Sequence, residues 1–116
     1  MPVTPGYYRD MAVVGNSFMR QYQCKAGGVA VDLTGHTVKW RGVYGDVALE
    51  KTTADGSLVM TTPTNGTVFL SLTPAETRQI PVNDNMKYEL ELMVPGVSQQ
   101  TVLWGDLVGQ GGATSD

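Results

Sequence analysis

"MKYELELMV", residues 86–94, shows the most regular alternation of apolar and polar side chains in the chain. Successive side chains of an extended strand point to opposite faces, so the two kinds of residue separate. The apolar set is Tyr88, Leu90, Leu92 and Val94, and the charged set is Lys87, Glu89 and Glu91. One buried face and one solvated face are typical of antiparallel sheets. The stretch therefore predicts an antiparallel strand with one face in the core.

Comparable short stretches recur along the chain at intervals of about 8 to 12 residues. Turn signals such as Asp55-Gly56 and Asn65-Gly66 separate them. The other predicted strands cover residues 17–25, 29–32, 36–44, 47–53, 57–61, 67–72 and 99–107. Together with the many Gly, Thr and Val residues, this spacing predicts an all-β chain folded as an antiparallel β-sandwich of about seven strands.

The two tryptophans fall in predicted strands of unequal clarity. Trp40 and Tyr88 lie in phase with apolar neighbours, so both are predicted to belong to the core. The phase of the last strand stays open. Its core-facing residues are either Val102 and Trp104 or Leu103 and Leu107.

One helix is predicted, over residues 74–79. Thr73 stands at the N-cap position, Pro74 at the first helical position and Glu76 at the third, which is the pattern of a capping box. Pro81 ends the segment. A single helix of this length leaves the prediction of an all-β fold unchanged.

Length and composition exclude several classes of protein. The 116 residues suit one domain with its own core. The net charge is −3 and the eight Lys and Arg residues are dispersed, so no nucleic-acid partner is expected. Cys24 is the only cysteine; it cannot form an internal disulfide and is predicted to be a buried strand thiol. With no signal sequence and no run of about 20 apolar residues, the chain is expected to be made in the cytoplasm and to stay soluble, without a membrane partner.

The residues that could support catalysis are few. His36 is the only histidine, and the chain contains no Gly-x-Ser-x-Gly elbow, phosphate-binding loop or paired metal-ligating histidines. Glu89 and Glu91 have a spacing that a glycosidase could use, but the alternation of a solvent-facing strand already explains both residues. The cluster at residues 83–85 is interpreted as a turn. The sequence therefore predicts no enzyme, no cofactor, no metal and no small-molecule substrate.

The chain is expected to divide into an N-terminal arm at residues 1–15, a sandwich domain at 16–108 and a flexible tail at 109–116. The arm contains Pro and Gly but also apolar side chains that need a surface to cover. It either lies across the sheet of its own domain or grips a neighbouring subunit. Its candidate partner contacts are Tyr7, Tyr8, Met11 and Val13.

Three stretches, "DLTGHTVKW" (32–40), "GTVFLSLTPAETRQIP" (66–81) and "KYELEL" (87–92), occur in an order that resembles a bacteriophage structural domain. This is the immunoglobulin-like domain at the N-terminus of the upper baseplate proteins of some lactococcal phages, which also recurs as small stand-alone proteins in phage and prophage gene clusters. The resemblance covers residues 17 to about 108. It implies an immunoglobulin-like sandwich without catalytic residues, which packs against other virion proteins and against itself.

The resemblance leads to a functional hypothesis with two alternatives. We expect a non-enzymatic virion protein, an adaptor or accessory subunit present in many copies on the tail, neck or baseplate. The first alternative is a decoration protein of the capsid. The second is a carbohydrate-binding module for host glycans, which predicts exposed Trp104 and Tyr44 side by side.

Overall fold

A computed structural model describes residues 6–26, 28–94 and 98–111 of the chain. In these ranges the secondary structure consists of strands, one short helix and one 3₁₀ turn (Pro63–Asn65). The strands are β1 (Gly6–Val13), β2 (Phe18–Gln23), β3 (Lys25–Ala26), β4 (Val29–Ala30), β5 (Thr37–Tyr44), β6 (Val47–Thr52), β7 (Leu58–Thr62), β8 (Thr67–Leu72), β9 (Asn85–Val94) and β10 (Ser98–Gln110). The helix is α1 (Pro74–Thr77).

The strands form two main sheets, which confirms the all-β sandwich. The larger sheet has the order β1-β10-β9-β5-β6 and the smaller sheet has the order β2-β8-β7. Strands β3 and β4 form a separate two-stranded ribbon. Apart from the first strand, this arrangement follows the immunoglobulin-like pattern, with B, E and D in one sheet and G, F, C and C′ in the other.

The antiparallel sandwich contains one parallel strand pair, which the sequence does not predict. β1 pairs with β10 in parallel, whereas the other strand pairs are antiparallel among the described residues. β1 and β10 lie at opposite ends of the chain, so no hairpin turn fixes their relative direction. Side-chain alternation reports which face of a strand is buried and carries no information about direction.

The core lies between the two main sheets and includes the predicted aromatic residues. Trp40 and Tyr88 are fully buried, with ring centroids 5.6 Å apart. Cys24 is also buried, but it lies between β2 and β3 rather than within a strand. Burial raises the pKa of its thiol to about 11.

A β-bulge explains the ambiguous phase of the last strand. The register of β10 against β9 shifts between Thr101 and Leu103, so Val102 and Leu103 are both buried. Beyond the bulge Leu107 faces the core, and Trp104 points to the outer face with 41% of its surface exposed. The alternative with Leu103 and Leu107 in the core is therefore correct, and the other alternative is correct for Val102 only.

The helix is shorter than the predicted segment 74–79, because a turn replaces its last residues. The capping box is present: the Thr73 hydroxyl accepts from the Glu76 amide at 3.2 Å, and Glu76 Oε1 accepts from the Thr73 amide at 2.9 Å. Thr77 is buried, and its hydroxyl donates to the Asn16 carbonyl at 2.8 Å. Next, Ile80 N–H bonds to the Thr77 carbonyl and ends the α-helical pattern.

The chain ends differ from the expected arm and tail. Residues 6–13 of the arm form β1 within the larger sheet, and β10 continues to Gln110, past the expected boundary at 108. Residues 1–5 and 112–116 lie outside the described ranges.

Candidate interaction surface

The two faces of β1 have different roles because its side chains alternate. Tyr8, Asp10 and Ala12 face the core, and Tyr7 and Met11 face outward. The four candidate contacts therefore do not form one group. Tyr8 packs against the core, while Val13 is half-buried on the outer side.

A buried carboxylate attaches β1 to the rest of the sandwich. Asp10 accepts hydrogen bonds from the hydroxyls of Tyr88 at 2.7 Å and Tyr22 at 3.2 Å, and its other oxygen lies 3.3 Å from Arg20 Nε. The Arg20 guanidinium also stacks over the rings of Tyr8 and Tyr22, at 5.6 and 5.3 Å from their centroids. Burial raises the pKa of both Tyr22 and Tyr88, so both stay protonated and donate. Asp10 thus joins β1 to strands of both sheets.

On the outer face, three large apolar side chains stay exposed around β1. The rings of Tyr7 and Trp104 meet edge to face with centroids 4.6 Å apart. Tyr7 is 49% exposed and Met11 is 57% exposed. We call Tyr7, Met11 and Trp104 the β1–β10 patch.

A polar contact beneath the patch fixes the orientation of Tyr7. Its hydroxyl donates to the Asp106 carboxylate, which also lies 2.7 Å from Lys87 Nζ. Asp106 is only 5% exposed. The Lys87 ammonium and the Tyr7 hydroxyl hold the pKa of Asp106 below its usual range. An aromatic ring held in this way loses little conformational entropy when a partner covers it.

Charged side chains on the outer face form a row beside the patch and largely compensate one another. A row runs across the strands from Trp104 through Glu89 and Arg41 to Glu50. Glu50 Oε2 lies 3.8 Å from Arg41 Nε and 3.9 Å from Lys39 Nζ. Exposed alternating charges of this kind contribute little to stability and keep a surface solvated. The apolar patch is therefore confined to the β1 side of the sheet.

Trp104 was not among the candidate contacts, because its phase could not be read from the sequence. Tyr7 lies directly opposite Trp104 in the β1–β10 register. This pairing would identify Trp104 as a surface residue, but it depends on a parallel strand pair that the sequence does not predict. The glycan alternative expected Trp104 beside Tyr44. Both residues are exposed, Trp104 at 41% and Tyr44 at 38%, but they are not side by side. Tyr44 ends β5 in the phase of Trp40, and its hydroxyl donates to Asp84 at 2.7 Å. The two rings lie on opposite phases with β9 between their strands.

The groups considered for other chemistry are dispersed. His36 is half-buried immediately before β5, and its Nδ1 has no hydrogen-bond partner among the described residues. Among the described residues, no three His, Cys, Asp or Glu side chains are placed to hold a metal ion. In the same ranges, no helix is long and apolar enough to cross a membrane.

Comparison with models of known protein families gives no match, and comparison with curated protein sequences gives none either. Evidence about function therefore comes from the surface of the molecule. Its main feature is a fixed apolar patch beside an edge strand.

Proposed function

We propose that the chain is a non-enzymatic structural protein of a bacteriophage particle, an adaptor or accessory subunit on the tail, neck or baseplate. The observation that carries the proposal is the β1–β10 patch. It exposes Tyr7, Met11 and Trp104 at the β1 side of a sheet whose outer face carries a row of alternating charges next to them. The likeness to phage immunoglobulin-like domains favours a virion protein as the partner.

The patch has the composition of an attachment site. Trp and Tyr are enriched among the residues that contribute most to protein interfaces, and Met adapts to irregular partner surfaces. Full burial of a large apolar side chain contributes about 1.5 to 3 kcal/mol. Covering three half-exposed side chains therefore supplies several kcal/mol, which multiple copies on a symmetric particle would reinforce.

The test is incorporation into particles. The host strain that encodes the chain is induced, its phage particles are purified by density gradient, and the chain is quantified by mass spectrometry. We expect many copies per particle, in tails rather than heads after the two are separated. Recovery with heads would instead support the capsid alternative, and absence from both fractions would overturn the proposal.

A pair of variants tests the surface. Met11→Asp places a charge in the β1–β10 patch and should reduce particle incorporation at least tenfold, because an unpaired charge opposes burial. Met19→Asp is the matched control, since Met19 is a 64% exposed methionine on β2 of the other sheet. Equal incorporation of the two variants would show that the β1–β10 patch does not attach the chain to the particle.

A further inference from the structure

β1 is the outermost strand of the larger sheet, and its second edge is open with respect to the part of the chain that the structure describes. One edge pairs with β10 over eight consecutive residues, from Gly6–Leu103 to Val13–Gln110, without a shift in register. No strand of the described ranges pairs with the other edge. Open edges present unpaired N–H and C=O groups, and sheets usually protect them with short strands, bulges or inward charges.

Two other edge strands show such protection. β6 has six residues, and its inward-phase Lys51 is paired with Glu76 of α1 at 2.6 Å. β7 has five residues, and a register shift interrupts its pairing between Met60 and Thr62. β1 is longer and regular. Its inward charge, Asp10, is bonded to Tyr88 of β9 and so points away from the open edge.

The outward side chains of β1 define what kind of strand would fit beside it. In order they are Tyr7, Arg9 and Met11, which is an apolar–basic–apolar pattern. Arg9 is exposed and has no carboxylate within ion-pair distance in the described part of the chain. Its neighbour on β10, Asp106, is already engaged by Tyr7 and Lys87.

We propose that β1 binds an extended segment of a partner protein by strand addition, and that this segment carries an acidic residue opposite Arg9 between two apolar residues. An added strand continues the pleat, so its alternate side chains lie beside those of β1 on the outer face. Backbone hydrogen bonds supply affinity and the side-chain pattern supplies selectivity. The inference rests on the proposed function only in taking a particle protein as the natural partner.

The first experiment selects ligands without assuming a partner. The full chain is used to select from a display library of random 12-residue peptides. We expect enrichment of peptides with an acidic residue flanked at alternate positions by apolar residues. No enrichment, or an unrelated consensus, would contradict strand addition at β1.

A charge exchange then locates the binding site. Arg9→Glu should lower the affinity of the chain for the selected acidic peptide by at least about tenfold. It should bind more tightly a version of that peptide in which Lys replaces the acid. Arg41→Glu is the control, because Arg41 is an exposed arginine on the same face but two strands away from β10. Equal effects of the two variants would place the peptide elsewhere on the face.

Backbone methylation distinguishes strand addition from docking on the face. Peptide N–H groups that point to β1 alternate along the strand, so N-methylation should abolish binding at every second position and leave the others nearly unchanged. Uniform tolerance would overturn strand addition. If the chain dimerises and Arg9→Glu abolishes the dimer, the edge of β1 binds a second copy of the chain. This result would also overturn the proposal of a partner strand. A chain absent from particles that still gives the alternating pattern would refute the proposed function alone.

Discussion

At the residue scale, Gly105 shows how closely β1 and the core approach each other. A Cβ atom on this residue would lie 2.2 Å from the Tyr8 carbonyl oxygen and 2.9 Å from the Tyr88 ring. The backbone of β1 and the ring of Tyr88 therefore occupy the space of a side chain. The burial of Trp40 and Tyr88 could be predicted from alternation, but the role of Gly105 could not, because it depends on an approach between distant parts of the chain.

Gly105→Ala should lower the free energy of unfolding by about 1 to 3 kcal/mol, the usual cost of inserting a methyl group into a packed interior. The backbone oxygen of Tyr8 cannot move without disturbing the β1–β10 pairing. Denaturant unfolding followed by Trp fluorescence measures the change. Gly111→Ala is the control, because the added Cβ would make only an ordinary contact, 3.8 Å from Val82. Equal stability of the two variants would show that β1 can shift to accommodate the methyl group.

At the element scale, the sequence predicts strands well and their partners poorly. β5, β8 and β9 alternate regularly and were located to within a residue or two. β10 could not be assigned a phase, since its bulge turns two successive residues inward. The pairing of β1 with β10 cannot be predicted either, because no local turn connects two strands so far apart in the sequence. The same applies to the candidate surface. Tyr7 and Met11 can be predicted from the sequence as partner contacts, whereas Trp104 cannot, because the phase of β10 is ambiguous.

The contact between β1, β9 and β10 predicts a pH dependence. The fold lowers the pKa of Asp106, chiefly through Lys87 and then Tyr7. The ionised Asp106 carboxylate therefore stabilises the fold fully above the unfolded pKa of about 3.9, and this stabilisation is lost as the pH falls through the lower pKa of the folded state. The stability difference between the native chain and Asp106→Asn should thus be largest from pH 5 to 7 and shrink towards pH 2. Tyr7→Phe should show a smaller difference of the same sign. A difference that stays constant with pH would show that the Asp106 charge is not stabilising.

At the scale of the whole molecule, β1 is both part of the core and the proposed site of attachment. The domain extends 44 Å along its longest axis and about 25 Å across it. β10 has 13 residues, enough to span that length, and β1 covers one of its edges. The inward side chains of β1 pack in the core and its outward side chains are exposed, so one strand can stabilise the fold and also bind a partner. A partner strand would therefore pair with β1 in a conformation that the fold has already ordered.

Removal of residues 1–13 tests whether the fold depends on this strand. Deletion takes away Asp10, so the hydroxyls of Tyr22 and Tyr88 and the guanidinium of Arg20 lose their shared acceptor. Of these groups only the two tyrosine hydroxyls are buried, since Arg20 is 40% exposed, and an unpaired buried polar group costs about 1 to 3 kcal/mol. Deletion also removes Tyr8 and Ala12 from the core and the eight-residue pairing with β10, so the total loss is comparable with the whole stability of a small domain. We therefore expect the truncated chain to be largely unfolded or aggregated at 25 °C, as measured by near-ultraviolet circular dichroism and size-exclusion chromatography. Met11→Asp, which alters only the outer face, should keep the native spectrum. A folded truncated domain would show that the sandwich closes without β1 and that the strand serves attachment alone.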